Sequence, residues 1–424
     1  MSKFLLRLSH SRVIPGGIAA PLGFKAAGIH SGMRRNKSKR DLAMVRCDVR
    51  CAAAGAYTQN LVKGASIAVT RENISDGYAQ GIICNSGNAN TCNADGEQKA
   101  REMCRIAAEA MNIAPEDVIV ASTGVIGQPL NLDPIRNSAV ELASRLRRDG
   151  GSEAADAILT TDRYRKEISF EYDLCGTTVR FGAMAKGSGM VHPNMATILC
   201  FITTDTAITP EMLRKSLAKV VPQTFNMVSV DGDTSTNDTA AVLASGLAGN
   251  PVIDSEGYAF DRFTHALKAI CITICRELAR DGEGSTRLLT CTVHGAVDSQ
   301  NARVMAKSVI CSSLVKAAIF GSDANWGRVL CAIGYSGAKC DISQVEVAFV
   351  SERGRIIVCQ NGAGIDFDEA RAKEILLADE IIIDISCGSG DGKAEAYGCD
   401  LTYDYVRISG DYRAEQLAQI AGRR

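Results

Sequence analysis

The stretch KGSGMVHPNMATILCF, residues 186–201, is the part of this sequence from which the fold is best inferred. It starts with a lysine, passes through two glycines, a proline and an asparagine, and enters the apolar run TILCFITTD at Thr197. The run predicts a strand over 197–208, and the small residues before it let the backbone approach its neighbours closely. The chain has 424 residues, a length that suggests two or three core units. This stretch is the one obvious boundary between segments along it.

The composition argues against a nucleic-acid or membrane partner. The net charge is −1 and aromatic residues make up 5%, so neither a basic patch nor a base-stacking surface is indicated. No apolar run approaches the roughly 20 residues that span a bilayer, and FLL near the N-terminus is too short for a secretory signal. The sixteen cysteines include no C-x-x-C pair, so we expect buried thiols, no metal site and a cytoplasmic location.

Periodicity along the chain predicts an α/β (α+β) fold of layered mixed or antiparallel sheets flanked by helices. The predicted strands are 66–70, 80–87, 117–123, 197–208, 286–297, 344–350 and 354–362, with a hairpin over 165–189 and two further strands within 379–412. The predicted helices are 97–113, 133–150, 209–225, 261–284 and 299–323, and Thr209 is the expected N-cap of the third.

Thr197 has the chemistry of a self-cleaving segment. A threonine hydroxyl can attack the carbonyl before it, here that of Ala196, and water then hydrolyses the ester. The freed α-amine has a reference pKa of about 7.7–8.0 and can serve as the base for its own hydroxyl. On spacing alone, an ordinary turn followed by a strand threonine explains the stretch at least as well.

Other polar stretches suggest a pocket. In ASTGVIG, Thr123 and Gly124 follow a predicted strand, where a hydroxyl and a backbone N–H could stabilise an oxyanion, although an ordinary turn is equally compatible. Four stretches rich in Asp, Asn, Ser, Thr and Gly are expected to converge on this polar pocket. They are 84–96, 230–240, 281–287 and 321–328.

Taken in order, these stretches resemble the ornithine acetyltransferase (glutamate N-acetyltransferase) family over almost the whole chain. The matching motifs include CNSGNAN, ASTGVIGQPL, ILTTD, MAKGSGMVHPNMATILCFITTD, FNMVSVDGDTSTNDT, DGEGSTR and GCDLTYDYVRI. The resemblance implies an ornithine acetyltransferase or DmpA-like fold, with self-cleavage between Ala196 and Thr197. It implies an α chain, 1–196, with the N-terminal lobe and oxyanion-hole loop, and a β chain, 197–424, with the nucleophile, the substrate pocket and the C-terminal lobe. Two αβ units would form a heterotetramer.

The resemblance also implies a ping-pong reaction on small-molecule substrates. Thr197 would take the acetyl group of N-acetyl-L-ornithine and pass it to L-glutamate, with no cofactor, while acetyl-CoA is an alternative co-substrate. The family's motifs place the oxyanion hole at Thr123 and Gly124. They place the substrate contacts at Thr160, Thr161, Lys186, Thr197, Glu283 and Ser409. A lysine suits an α-carboxylate, and a glutamate suits the cationic δ-amine of ornithine.

Three positions depart from the family pattern. Ser409 stands where the family has asparagine, Ala414 stands where it has a terminal threonine, and Arg163 replaces a smaller residue. Three alternatives therefore remain open: a paralogue acting on another N-acyl amino acid, an N-terminal-threonine amidase or aminopeptidase with water as acceptor, and an uncleaved, non-catalytic subunit.

Overall fold

A computed structural model describes residues 8–192 and 198–420, with side chains as far as residue 412. The α-helices found in these ranges are α1 (Ala65–Asn73), α2 (Gly96–Met111), α3 (Asp133–Ser144), α4 (Gly151–Ala157), α5 (Pro210–Val220), α6 (Tyr258–Arg280), α7 (Ser299–Cys311), α8 (Ser313–Phe320), α9 (Trp326–Gly334), α10 (Glu369–Leu376) and α11 (Tyr403–Ile420).

The strands of the same ranges form two sheets. They are β1 (Ser11–Val13), β2 (Phe24–Ile29), β3 (Leu42–Tyr57), β4 (Tyr78–Asn85), β5 (Val118–Ser122), β6 (Lys166–Leu174), β7 (Thr177–Lys186), β8 (Leu199–Thr204), β9 (Val228–Ser229), β10 (Thr239–Ala244), β11 (Leu288–Ala296), β12 (Glu346–Ser351), β13 (Gly354–Gln360), β14 (Ala363–Gly364), β15 (Glu380–Ser386) and β16 (Gly392–Cys399).

Both sheets are mixed. The first has the order β1-β6-β7-β8-β10-β3-β4-β5, with β2 paired to β3, and its parallel pairs are β8 with β10 and β4 with β5. The second has the order β14-β13-β12-β15-β11-β16-β9, with β11 parallel to β15 and β16 parallel to β9. The predicted class of fold, layered and mixed or antiparallel, is confirmed.

Helix α6 lies between the two sheets. It contacts β6 and β7 of the first sheet and β11 and β16 of the second. Its apolar side packs into a core where the ring of Phe181 stacks on Phe170, with centroids 5.2 Å apart, and meets Phe263 of the helix at 5.5 Å. None of the helices described has the length and apolar content needed to cross a membrane.

Most predicted elements are found, and several are confirmed in detail. The hairpin is β6 and β7, which turn at Cys175 and Gly176, and Thr209 caps α5 by accepting a hydrogen bond from the Met212 N–H at 3.4 Å. The predicted chain boundary at residue 197 remains a prediction. Strands from both sides of it, β7 and β8 among them, are neighbours in the first sheet.

Two element predictions are wrong, and the single helix predicted over 299–323 is interrupted, because Ser312 ends α7 and caps the start of α8. Residues 66–70 belong to helix α1, where Ser66, Ile67, Val69 and Thr70 are buried, so the short apolar run has helical rather than alternating periodicity. The helix predicted over 133–150 ends at Ser144.

The early end of that helix has a structural cause. The backbone of Arg147 forms two hydrogen bonds with Ala26 instead of continuing the helix. The Ala26 carbonyl oxygen would lie 1.9 Å from a Cβ at position 150, so the close approach of these segments requires Gly150.

We expect Phe181→Ala to lower the free energy of unfolding by about 3–5 kcal/mol, because it removes a ring that packs on both a strand and a helix. The measurement is chemical denaturation followed by far-UV circular dichroism. Val140→Ala is the control, since that side chain is 75% exposed, and it should change the value by less than about 0.5 kcal/mol. Equal effects of the two substitutions would contradict this account of the core.

Candidate active site

A cavity of about 150 Å³ brings together residues that are far apart in the sequence. Seven of the residues predicted from the sequence line it: Thr123, Gly124, Thr160, Thr161, Lys186, Glu283 and Ser409. The remaining predicted residues, Ala196 and Thr197, lie outside the described part of the chain. The cavity is also lined by Ser235, Thr236 and Asn237 of the expected stretch 230–240, and by Met190 and Tyr412, which the sequence analysis does not name as site residues.

The turn after β5 places Thr123 and Gly124 in the wall of this cavity. Gly124 has φ +137°, and a Cβ there would lie 2.8 Å from the Asn88 nitrogen, so no larger residue fits. The Thr123 N–H donates to the Asn85 carbonyl at 3.0 Å. Within the described residues the Gly124 N–H has no partner, which leaves it available to an oxygen in the cavity.

Two asparagines hold this turn in place. The Asn85 amide donates to the Ser122 hydroxyl at 2.8 Å, and its oxygen accepts from the Gly87 and Asn88 N–H groups. The Asn237 amide donates to the carbonyls of Ala89, at 2.6 Å, and Ser122, at 2.9 Å. The stretches 84–96 and 230–240 therefore meet at the turn, as expected.

Lys186 approaches the turn from the end of β7. Its Nζ donates to the Thr123 Oγ1 at 3.3 Å, so the threonine's own proton is free to be donated elsewhere. Burial lowers the pKa of Lys186 below its ordinary value, while the charge of Asp162 acts in the opposite direction.

Beneath the cavity lies a buried ion network. The ammonium of Lys166 contacts the carboxylates of Asp162 and Asp281, and all three side chains have no exposed surface. Burial alone would raise the pKa of Asp162, but the charges of Lys166 and Lys186 outweigh it and hold the pKa well below its ordinary value. Asp162 also accepts hydrogen bonds from the N–H groups of Thr160, at 3.0 Å, and Gly187, at 3.2 Å.

Asp281 ties the same network to the end of α6. It accepts from both the backbone N–H and the side-chain Nε of Arg163, at 3.1 and 2.8 Å. Arg163, one of the three departures from the family pattern, therefore supports the site from outside the cavity. Sequence reasoning missed Asp162, Lys166 and Asp281, although Asp162 and Asp281 belong to the quoted motifs ILTTD and DGEGSTR.

Glu283 enters the cavity just beyond α6. Its N–H donates to the Ser188 carbonyl at 2.9 Å, and its carboxylate lies so close to Gly189 that a Cβ there would be 2.8 Å from an oxygen. Burial raises the pKa of Glu283, opposed by its hydrogen bond with Thr161. The carboxylate is thus held facing Lys186 and Thr161 in a partly water-excluded space.

The segment 230–239 binds both flanks of residues 193–197. The Asp231 carboxylate accepts from the N–H groups of Met190, at 2.6 Å, and Val191, at 2.8 Å. The Thr239 N–H donates to the Ile198 carbonyl at 2.8 Å on the other side. The two ends of the predicted cleavage segment are therefore fixed by one stretch of chain, which also lines the cavity.

The fourth polar stretch does not reach the cavity. Residues 321–328 belong to the second sheet's layer, where the Trp326 ring packs against Gly364 of β14 and joins a separate apolar cluster. The expectation that all four stretches converge is therefore wrong for this one, because its polar residues cap α9, where Asn325 accepts from the Arg328 N–H.

Comparison with known proteins assigns the family. The family model described as the ArgJ family matches residues 25–414. This chain belongs to the ArgJ family. The arginine biosynthesis bifunctional protein ArgJ of Symbiobacterium thermophilum is 48% identical over 402 residues, which are 94% of this chain and 99% of the relative.

Two solved structures of the same kind are also similar. The arginine biosynthesis bifunctional protein ArgJ from Bacillus halodurans has 42% identity and a TM-score of 0.47, over 50% of this chain and 97% of that one. The ornithine acetyltransferase from Mycobacterium tuberculosis, complexed with ornithine, has 34% identity and a TM-score of 0.41, over 44% of this chain and 100% of that one.

Membership of the ArgJ family confirms the predicted resemblance and the predicted class of enzyme, an acyltransferase of arginine biosynthesis. The roles of the individual residues remain predictions. For this ArgJ chain the structure adds their mutual placement around one cavity.

We expect Asp162→Asn to lower the free energy of unfolding at pH 7 by about 3–5 kcal/mol, because the buried Lys166 loses one of its two carboxylates. The folded-state pKa of Asp162 is lowered, so its contribution is present above about pH 4, the ordinary value, and is lost as the pH falls below it. Denaturation at pH 7 and pH 3.5 should therefore show a smaller difference from the wild type at the lower pH.

The control for this variant is Asp149→Asn, which breaks an exposed pair with Arg147 and should cost less than about 1 kcal/mol. A loss for Asp162→Asn no larger than that of the control at pH 7 would contradict the network described here.

Proposed function

We propose that this protein transfers an acetyl group from N-acetyl-L-ornithine to L-glutamate through an acetyl ester on Thr197. The observation that carries the proposal is the single cavity in which the Thr123 hydroxyl, the Gly124 N–H, Lys186 and Glu283 meet. Family membership supports the same reaction, since the Symbiobacterium thermophilum relative is named for arginine biosynthesis.

The nucleophile would be made by self-cleavage. The Thr197 hydroxyl attacks the Ala196 carbonyl carbon, the C–N bond breaks as its nitrogen takes a proton, and water hydrolyses the resulting ester. Asp231 and Thr239 support this step, because they fix the backbone on either side of residues 193–197.

The transfer itself proceeds in two halves. The Thr197 oxygen attacks the acetyl carbonyl while its own α-amine accepts the hydroxyl proton, and ornithine leaves after protonation of its amine. The amine of glutamate then attacks the acetyl ester, releases the Thr197 oxygen and leaves as N-acetylglutamate. In both halves a negative charge develops on the acetyl oxygen.

Thr123 and Gly124 are suited to stabilise that charge. The Thr123 hydroxyl accepts from Lys186 and can donate its proton onward, and the Gly124 N–H lacks another partner within the described ranges. Both donors are held rigidly by Asn85 and Asn237, so they need no reorganisation when the charge appears.

Lys186 and Glu283 give the cavity opposite charges to recognise an amino acid. The ammonium suits the α-carboxylate of either substrate, and the Glu283 carboxylate suits the δ-amine of ornithine. Thr160 and Thr161 add hydroxyl groups at the cavity wall. This arrangement needs no bound cofactor. We include acetyl-CoA as an alternative acetyl donor, and a heterotetramer of two α and two β chains, in the proposal.

A second candidate is a paralogue with a different N-acyl amino acid as donor. Ser409 lines the cavity at the position where the family pattern has asparagine, so one amide contact is replaced by a shorter hydroxyl. The deciding assay offers the enzyme a panel of N-acetyl amino acids with and without glutamate. Preference for acetylornithine and dependence on glutamate support the first proposal, whereas acetate release without an acceptor would indicate an amidase.

Thr197→Ala should give one band of about 45.0 kDa on a denaturing gel and no acetyl transfer, whereas the wild type should give two bands. The reason is that the variant lacks the only hydroxyl placed at the proposed scission point. Thr178→Ala, at an exposed position of β7, is the control and should behave as the wild type. Two bands in the Thr197 variant would overturn the proposal.

Glu283→Gln should raise the KM for acetylornithine about tenfold or more, since a charged hydrogen bond contributes about 1.5–3 kcal/mol. Because its pKa is raised, wild-type Glu283 loses its charge at a higher pH than the ordinary value of about 4.3. As the pH is lowered, kcat/KM of the wild type should therefore begin to decrease at a pH above about 4.3, the ordinary value. In the variant this decrease should be weaker.

The control for this experiment is Glu352→Gln, at an exposed turn between β12 and β13, which should keep both the KM and the pH profile. An unchanged KM in the Glu283 variant would show that this carboxylate does not bind the donor.

A further inference from the structure

A second cleft, of about 530 Å³, lies among α1, β3 and α5. Its basic residues are Lys63, Arg71 and Arg214, and no aspartate or glutamate lines it. Three positive charges therefore surround one cleft in a chain whose net charge is −1.

The three cations lack carboxylate partners. Among the residues that the structure describes, the side chains of Lys63 and Arg214 make no hydrogen bond or ion pair, and the Arg71 side chain only lies over the Tyr57 ring at 5.9 Å. The acidic residues beside α1 are engaged elsewhere. Glu72 binds Arg101 at 2.6 Å, and Asp76 binds Arg50 at 2.5 Å.

Tyr57 forms part of the floor of the cleft. The Tyr57 hydroxyl is buried and has no hydrogen-bond partner within the described parts of the chain. It lies directly on Gly55, where a Cβ would be 2.3 Å from its oxygen. The apolar part of this ring also lies under the Arg71 guanidinium, which helps to hold that cation at the cleft.

The edge of β3 adds backbone groups to the same cleft. β4 pairs with β3 only as far as Ala52, and residues 53–57 line the cleft beyond that point. On its other side this part of β3 is paired with β10. The cleft therefore combines cationic side chains with one strand edge that β4 does not cover.

We propose that this cleft binds a small anion with two or more negative charges, carried by phosphate or carboxylate groups. The guanidinium groups of Arg71 and Arg214 match the oxygens of such groups in a two-pronged geometry, and Lys63 supplies a third charge. The inference does not rest on the proposed acetyl transfer, because none of these residues lines the catalytic cavity.

The cleft and the catalytic cavity share a wall. The Thr58 hydroxyl donates to the Ser235 carbonyl at 2.8 Å, and the Gly64 N–H donates to the Thr236 carbonyl at 2.8 Å. Ser235 and Thr236 line the catalytic cavity on the other side. A binding experiment must therefore distinguish the two places, since Lys186 could also attract an anion.

The test is isothermal titration calorimetry, in which pyrophosphate, and separately citrate, is titrated into the purified protein at low ionic strength. We expect saturable binding of about one equivalent by at least one of them. The double variant Arg71→Gln/Arg214→Gln should weaken it at least tenfold, and the two titrants distinguish a phosphate from a carboxylate ligand. The matched control is Arg148→Gln/Arg353→Gln, which removes the same charge from two exposed sites and should bind as the wild type.

Three results would overturn the proposal. They are no saturable binding of either anion, undiminished binding by the Arg71/Arg214 variant, and binding that is lost in Lys186→Met but kept in that variant. Circular dichroism checks that each variant is folded. If the double variant does not fold, Lys63→Gln replaces it, and at least threefold weaker binding is expected, with unchanged binding overturning the proposal.

Discussion

The buried ammonium of Lys166, between Asp162 and Asp281, is the interaction on which the candidate site depends. Removing three charges from water is expensive and is offset only when every hydrogen bond is made. Here those bonds reach the N–H groups of Thr160, Gly187 and Arg163. The requirement that the ions be satisfied therefore fixes the backbone beside Thr160, Lys186 and Glu283 together.

The second half of the site is held by uncharged groups. Asn85 and Asn237 shape the turn that carries Thr123 and Gly124, and the segment containing Asn237 also binds Ile198 through Thr239. The ionic network and the amide network meet at Lys186, whose ammonium contacts the Thr123 hydroxyl. The donors and charges around the cavity are therefore positioned by buried polar contacts that leave few alternative arrangements.

Much of the fold could be predicted from local signals. The hairpin of β6 and β7 alternates along both strands, and Thr209 with Pro210 marks the start of α5. The strand prediction for 66–70 fails because five residues are too few to distinguish the alternating pattern of a strand from the 3.6-residue period of a helix. Which side of α1 is buried depends on its contacts with β5 and α2.

The site was predictable where chemistry is carried by short motifs. Thr123, Lys186 and Glu283 stand in motifs that match the family, and they meet at one cavity. The pairing of Lys166 with Asp281 could not be inferred, because 115 positions separate them and the motif that contains Asp281 does not indicate which cation it binds. The stretch 230–240 is expected at the pocket from its composition, but the particular contact that places it there, the Asn237 amide with the Ser122 carbonyl, could not be inferred from sequence.

The pairing of β7 with β8 has a consequence for a backbone cut at residue 197. The two strands are joined along a ladder from Phe181 with Thr204 to Lys186 with Leu199, in the interior of the first sheet. Helix α6, which lies C-terminal to the cut, packs against β6 and β7 of that sheet, which lie N-terminal to it. The two chains produced by such a cut would therefore remain associated in the native state through these strand pairs, and they would separate only on unfolding.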